Sequence, residues 1–267
     1  MDLGIAGKRA LVLGGNRGIG QGIAQALVRE GVHVAITGRD AERMKTAVDE
    51  LRACQIETQT DLQVEAFALD LADTAGLAAF AAKVTSSFGP IDILINNTGG
   101  PGYGGASERG IAEWTSSFNE MVLSVITLTD ALLPGMRERR WGRIMTVVSS
   151  GVVQPIPILG VSNTLRNALV TWSKTLSAEV AKEGVTVNVL IPGRIDTERV
   201  RLTDQAVAAK EGISVDEAKR RSTAFIPMGR YGAPAEFGAL AAFVASMPAS
   251  YITGSMLRCD GGNIKSI

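Results

Sequence analysis

The stretch from Arg9 to Gly20, RALVLGGNRGIG, narrows the possible folds more than any other part of this chain of 267 residues. Ala10, Leu11, Val12 and Leu13 make a short apolar run that stops at Gly14 and Gly15. From Gly18 onward apolar residues recur at helical spacing, with Ile19, Ile23, Ala26 and Leu27 on one face. The reading is strand, glycine turn, helix. Gly14 and Gly15 accept backbone angles closed to other residues, and Gly18 and Gly20 let another group come close to the main chain. A helix starting there aims its free N–H groups and the positive end of its dipole at the turn, which suits a phosphate. A tight connection that binds nothing would carry the same glycines, so the rest of the chain must decide.

The pattern repeats along the chain. Strand-like runs at 32–37, 64–69, 91–95, 143–148 and 185–191 are each followed by a helical or irregular stretch, and a last run at 256–259 closes the series. The helices are expected near 41–53, 73–88, 111–139, 159–182 and 234–245. Alternation at these lengths means βαβ units, hence a mostly parallel, doubly wound sheet of seven strands covered on both faces. With 46% hydrophobic residues the chain can bury one large core, and no repeat or low-complexity linker divides it, so residues 1–267 read as one domain. The segment 198–225 is polar and helix-prone, inserted where such a sheet presents its ligand crevice. It is expected to be a helical substrate lid; a plain surface excursion would read the same way.

Several function classes fall away. Lysine plus arginine equal aspartate plus glutamate at 27 each, with no basic run, so neither nucleic acid nor an anionic membrane is an expected partner. No apolar stretch is long enough to span a bilayer and no signal-peptide pattern opens the chain, which points to a cytoplasmic location. Cys54 and Cys259 lack metal-ligand spacing and read as thiols, and the single histidine, His33, reads as the residue that opens the second strand. No metal is expected.

In a doubly wound sheet, ligands bind beyond the carboxyl ends of the strands, where the strand order reverses. After the second strand stand Thr37, Gly38 and Arg39, where NAD-binding chains place an acid against the ribose hydroxyls. Gly38 is expected to leave that space open, and Arg39 and Arg17 supply two cations suited to a 2′-phosphate, so NADP(H) is preferred to NAD(H). Asp70 follows the third strand, either to accept from an adenine amino group or to cap the next helix. Asn96 to Gly100 follow the fourth strand; the asparagines can tie strand ends together and the glycines leave room for a ribose.

With these pieces in place the chain resembles the short-chain dehydrogenase/reductase family, most closely the branch containing 3-oxoacyl-carrier-protein reductases. The motifs are GGNRGIG (Gly14 to Gly20), Asp70, NNTG (Asn96 to Gly99), Ser149, PGRIDT (Pro192 to Thr197) and YITGSMLRCDGG (Tyr251 to Gly262), spread over essentially the whole chain. The resemblance implies a single Rossmann domain and a homotetramer built on the long helices at 111–139 and 159–182, while Ile156, Ile158, Leu159 and the lid suggest an apolar pocket and so a small-molecule substrate with an apolar portion. The resemblance also implies that Gly14, Asn16, Arg17, Gly18, Ile19, Gly20, Asp70, Leu71, Asn97 and Gly99 contact the cofactor's adenosine and phosphates. Pro192, Gly193, Ile195 and Thr197 would contact its nicotinamide half.

The chain departs from the family where the chemistry is done. The family uses an asparagine, a serine, a tyrosine that moves the proton and a lysine that holds the ribose and lowers the phenol's pKa. Ser149 matches the serine, but the tyrosine position is Ser162, the asparagine position Met121 and the lysine position Arg166, which stays cationic and is expected to hold the cofactor's ribose hydroxyls. Shifting the alignment does not help, because the three tyrosines are Tyr103, Tyr231 and Tyr251. Three readings stay open: an NADP(H)-dependent oxidoreductase with another proton donor, a non-catalytic NADP(H)-binding protein, or another reaction such as elimination. For the first, the candidate donors are Tyr103, in the glycine-rich loop after the fourth strand, and a water held by Ser149 and Ser162. Tyr103 would equally serve as a loop aromatic packed on the lid.

Overall fold

The computed structural model describes residues 1–58 and 61–267. The strands are β1 (Arg9–Val12), β2 (His33–Gly38), β3 (Val64–Ala68), β4 (Ile93–Asn96), β5 (Gly142–Val147), β6 (Val185–Pro192) and β7 (Met256–Cys259). They form one sheet in the order β3-β2-β1-β4-β5-β6-β7, and every neighbouring pair runs parallel. β5 and β6 are buried along their whole length, as strands covered on both faces must be. That burial explains why their sequences read as near-continuous apolar runs. The order reverses between β1 and β4, so the loops after these two strands flank the crevice.

The helices are α1 (Gly18–Arg29), α2 (Ala41–Thr58), α3 (Leu77–Phe88), α4 (Ile111–Phe118), α5 (Ser124–Glu138), α6 (Gly160–Val180), α7 (Glu198–Glu211), α8 (Val215–Thr223) and α9 (Pro234–Ala245). Two expectations from periodicity change. The helix expected over 73–88 starts at Leu77, because the Asp73 carboxylate accepts from the Gly76 N–H and winds a tighter turn first. The helix expected over 111–139 is interrupted by a π-helical turn over Asn119–Leu123, which joins α4 to α5. The segment 198–225 is helical as expected, but Gly212 (φ +65°) and the Ser214 cap split it into α7 and α8. No helix among the described residues is long and apolar enough to cross a membrane.

One face of the sheet packs on α1, α2 and α9, the other on α3, α5 and α6. α1 and α9 approach closely because both present glycine at the crossing. A Cβ on Gly238 would stand 2.2 Å from the Gly22 carbonyl oxygen, and one on Gly22 would stand 2.5 Å from that of Pro234. The backbones must part before a side chain fits, whereas Gly102 has nothing within 4 Å of its Cβ position. Gly238→Ala should therefore lower stability by about 1–3 kcal/mol in urea unfolding, while Gly102→Ala stays within about 0.5 kcal/mol of the parent.

Candidate active site

The turn after β1 is built by close approach. Gly14 (φ +59°) and Gly18 (φ +56°) occupy the left-handed region, and a Cβ on Gly20 would lie 2.2 Å from the Gly14 carbonyl oxygen. Thr37 Oγ1 accepts from the Gly14 N–H at 3.2 Å, and Asn97 Nδ2 donates to the Leu13 carbonyl at 3.1 Å, so the ends of β1, β2 and β4 are tied together. Arg17 stands at the N-cap of α1 and provides no side-chain cap. The leading N–H groups of the helix therefore meet the crevice rather than a capping oxygen, which is the geometry of an anion cradle. Ile19 packs against the core beneath it.

The opposite wall comes from the segment after β6. Pro192 ends the strand, Gly193 donates to the Cys259 carbonyl at 3.0 Å, and Ile195 is buried. Thr197 stands at the N-cap of α7 with no bond from its side chain to the helix, and its Cγ2 lies 3.3 Å from where a Cβ on Gly18 would stand. The turn after β1 and the segment after β6 thus approach each other.

At the end of β2 two expectations are revised. Gly38 does not leave open space, because the Asn16 amide fills it; a Cβ on Gly38 would stand 2.6 Å from Asn16 Nδ2. Arg17 is not an unpaired cation: its Nη1 lies 3.1 Å from Glu198 Oε2. Arg43, which sequence reasoning missed, reaches the same oxygen at 2.9 Å and Asp40 at 3.3 Å. The two guanidinium groups, Arg43 foremost, hold the Glu198 carboxyl below the usual carboxylate range. Arg39 is exposed and makes no ion pair among the described residues.

Asp70 Oδ1 accepts from the Ala72 N–H at 3.1 Å and so caps the turn after β3, leaving the helix-capping role to Asp73. Its neighbour Leu71 is half-buried against the core. Gly99 lies at the end of the segment after β4, with the Glu120 carboxylate 3.9 Å from its Cβ position.

Ser149, Ser162 and Arg166 are the residues expected at the reaction end of the crevice. Ser149 follows β5, and its Oγ accepts from the Gly151 N–H at 3.2 Å. Ser162 sits in the first turn of α6 and is buried, and its hydroxyl makes no hydrogen bond among the described residues. Asn163 beside it donates to the Ile156 carbonyl at 2.9 Å and presses on Gly151, which seats the turn over Ser150–Val152 on α6. Arg166, expected to hold ribose hydroxyls, instead spends its donors on main-chain carbonyls. Its Nη1 donates to the Val147 carbonyl at 3.0 Å, and its Nη2 to those of Gly99 at 2.9 Å and Thr98 at 3.4 Å. Burial, with the charge of Arg199 added, lowers its pKa to about 10. Met121 is buried in the π-helical turn, and the Tyr103 hydroxyl lies 2.6 Å from Thr203 Oγ1 on α7.

A glycine cradle at the reversal of strand order, facing serine hydroxyls after β5 and on α6, defines a dinucleotide-binding α/β protein of the oxidoreductase type. The comparisons agree. A family model described as enoyl-(acyl carrier protein) reductase matches residues 14–263. The NADPH-dependent reductase BacG of Bacillus subtilis (strain 168) is 32% identical over 260 residues, 97% of this chain and 99% of that protein. The 3-oxoacyl-(acyl-carrier-protein) reductase FabG of Escherichia coli (strain K12) is 33% identical over 258 residues, 96% of this chain and 97% of that one. The L-sorbose reductase of Gluconobacter frateurii, solved with NADPH and L-sorbose, superposes with a TM-score of 0.92 at 32% identity and full coverage of both chains. The chain belongs to the short-chain dehydrogenase/reductase family.

Arg166 joins β4 to β5 through main-chain carbonyls, so its removal leaves those acceptors without a donor. Arg166→Met should cost about 2 kcal/mol or more in denaturant unfolding, with Arg166→Lys losing less because an ammonium still donates. A methionine variant as stable as the parent would contradict this bracing role.

Proposed function

We propose that this chain is an NADP(H)-dependent oxidoreductase that interconverts a carbonyl and an alcohol by hydride transfer, with proton delivery that does not use the family phenol. The residues present fit the nucleotide: the turn held tight by the approach of Gly14 and Gly20 offers uncapped helix N–H groups, and Arg39 is exposed with no ion pair among the described residues. When bound, NADPH supplies the hydride. Everything else falls to the chain.

The cradle at Gly14, Asn16, Gly18, Ile19 and Gly20 holds the diphosphate, and Thr197 closes on it from the side of β6. Asp70, Leu71, Asn97 and Gly99 border the adenosine half; Pro192, Gly193 and Ile195 border the nicotinamide half. Arg39 takes the 2′-phosphate, with Arg17 and Arg43 joining it once they leave Glu198. Ser149 orients the substrate carbonyl. Ser162 has the spare hydroxyl, and with Ser149 it holds the water that donates the proton, since a serine hydroxyl reaches less far than a phenol would. Arg166 contributes positive charge from beneath without touching the ribose. Tyr103, bonded to Thr203, acts as a clasp between the loop after β4 and the lid at 198–225.

The same reading places the protein in the cytoplasm as a homotetramer, with α5 and α6 pairing across an interface. Its substrate is a small molecule with an apolar portion facing Ile156, Ile158 and Leu159.

The single observation that carries the cofactor choice is that Arg17 and Arg43 meet on one carboxylate, Glu198, with Arg43 close in sequence to the exposed Arg39 at the end of β2. Fluorescence titration should show NADPH binding more tightly than NADH. Arg39→Ala should weaken NADPH by roughly tenfold and leave NADH unchanged. Glu198→Gln should tighten NADPH severalfold by freeing Arg17 and Arg43, again with little effect on NADH. Tighter binding of NADH by the parent would overturn the choice.

A further inference from the structure

The arginines of the segment 194–230 are nearly all committed to carboxylates. Arg194 pairs with Asp204 at 3.7 Å, Arg201 with Asp196 at 3.0 Å, Arg221 with Glu211 at 3.0 Å and Arg230 with Glu236 at 2.7 Å, and Arg220 pairs with Glu217. Arg199 is the exception: among the described residues it has no ion pair and no hydrogen bond from its side chain. The adjacent Glu198 is taken by Arg17 and Arg43.

Its placement is specific. The Arg199 guanidinium lies over the end of the segment after β4, with Nη1 2.8 Å and Nη2 3.0 Å from where a Cβ on Gly100 would stand. Only glycine leaves it that position. One residue back, the Gly99 carbonyl accepts from buried Arg166, which has carbonyl partners and no carboxylate. Arg199 and Thr203 are four residues apart and share one face of α7, and Thr203 meets Tyr103 across the crevice. That face, which Leu202 adjoins with 58% of its surface exposed, therefore looks onto the loop after β4. The Glu120 carboxylate lies 3.9 Å from the Cβ position of Gly99 and forms an ion pair with neither arginine among the described residues.

Two guanidinium groups thus converge on Gly99 and Gly100, neither in an ion pair among the described residues, and their repulsion is part of what lowers the pKa of Arg166. A negative ligand would relieve that repulsion, and a guanidinium offers a carboxylate two parallel donors. We propose that Arg199, backed by the charge of Arg166, is a subsite for an oxyanion group, the carboxylate of an oxo acid substrate whose carbonyl is directed to Ser149 and Ser162. This rests on the reductase reading of the crevice. The other oxyanion that could reach Arg199 is the cofactor's diphosphate, and the experiment separates the two.

The full chain is saturated with NADP⁺, and acetoacetate, 2-oxobutyrate and 3-oxohexanoate are titrated against their methyl esters by calorimetry, so that no turnover is needed. At least one acid should bind about tenfold or more tightly than its ester. Arg199→Met should erase that difference and Arg199→Lys should keep part of it, while NADPH affinity stays within about twofold of the parent. Acids that bind no better than their esters, including acids that do not bind, would overturn the subsite. So would an Arg199→Met variant that loses NADPH affinity in step with the acid, which would assign the arginine to the diphosphate. Failure of the parent to bind NADPH would instead bring down the nucleotide reading and this subsite with it. The acid–ester comparison on the parent needs no variant, so a misfolded substitution leaves the test intact.

Discussion

The close approach of the Gly14 carbonyl to the Cα of Gly20 is the contact on which the crevice depends. A single methyl group at Gly20 would push the start of α1 away from the end of β1. With it would go the alignment of the helix N–H groups, the bond from Asn97 to Leu13 and the contact of Thr197 with Gly18. The turn gathers the ends of β1, β2 and β4 and the start of α7 around one space at the reversal of strand order. The parallel sheet makes that space available; the glycines keep it from being filled.

At the reaction end, Arg166 shows how one substitution changes a site's logic. A cation at this helical position is expected to reach forward to a ribose. The longer, forked guanidinium reaches sideways into the carbonyls of β5 and the segment after β4, and so becomes a brace. Positive charge stays under the crevice, but the donors are spent on the backbone. The hydroxyl left with spare hydrogen-bonding capacity is that of Ser162, one turn earlier on α6.

Most of the architecture was legible because buried parallel strands and amphipathic helices write themselves as apolar runs and periodic stripes. The interruption over Asn119–Leu123 was not, since one extra residue in a turn barely disturbs the stripe that carries Met121, Val122 and Val125 into the core. The cradle was legible through its glycines. The partners of its charges were not: Arg17 and Arg43 meet Glu198 from 181 and 155 residues away, and nothing in a surface charge pattern announces such a pairing. Gly38 misled for a related reason, because the space its missing side chain vacates belongs to Asn16 from a different loop.

The central claim is that the crevice transfers hydride without the family phenol, and NADPH labelled with deuterium at the transferring position tests it most directly. Incubated with a panel of oxo acids, keto esters and ketones, the parent should place deuterium on the carbinol carbon of the product. Ser162→Ala should slow that transfer by about 10²-fold, while Tyr103→Phe leaves it nearly unchanged. No label in any product despite tight NADPH binding, or a loss that follows Tyr103 instead of Ser162, would contradict the account.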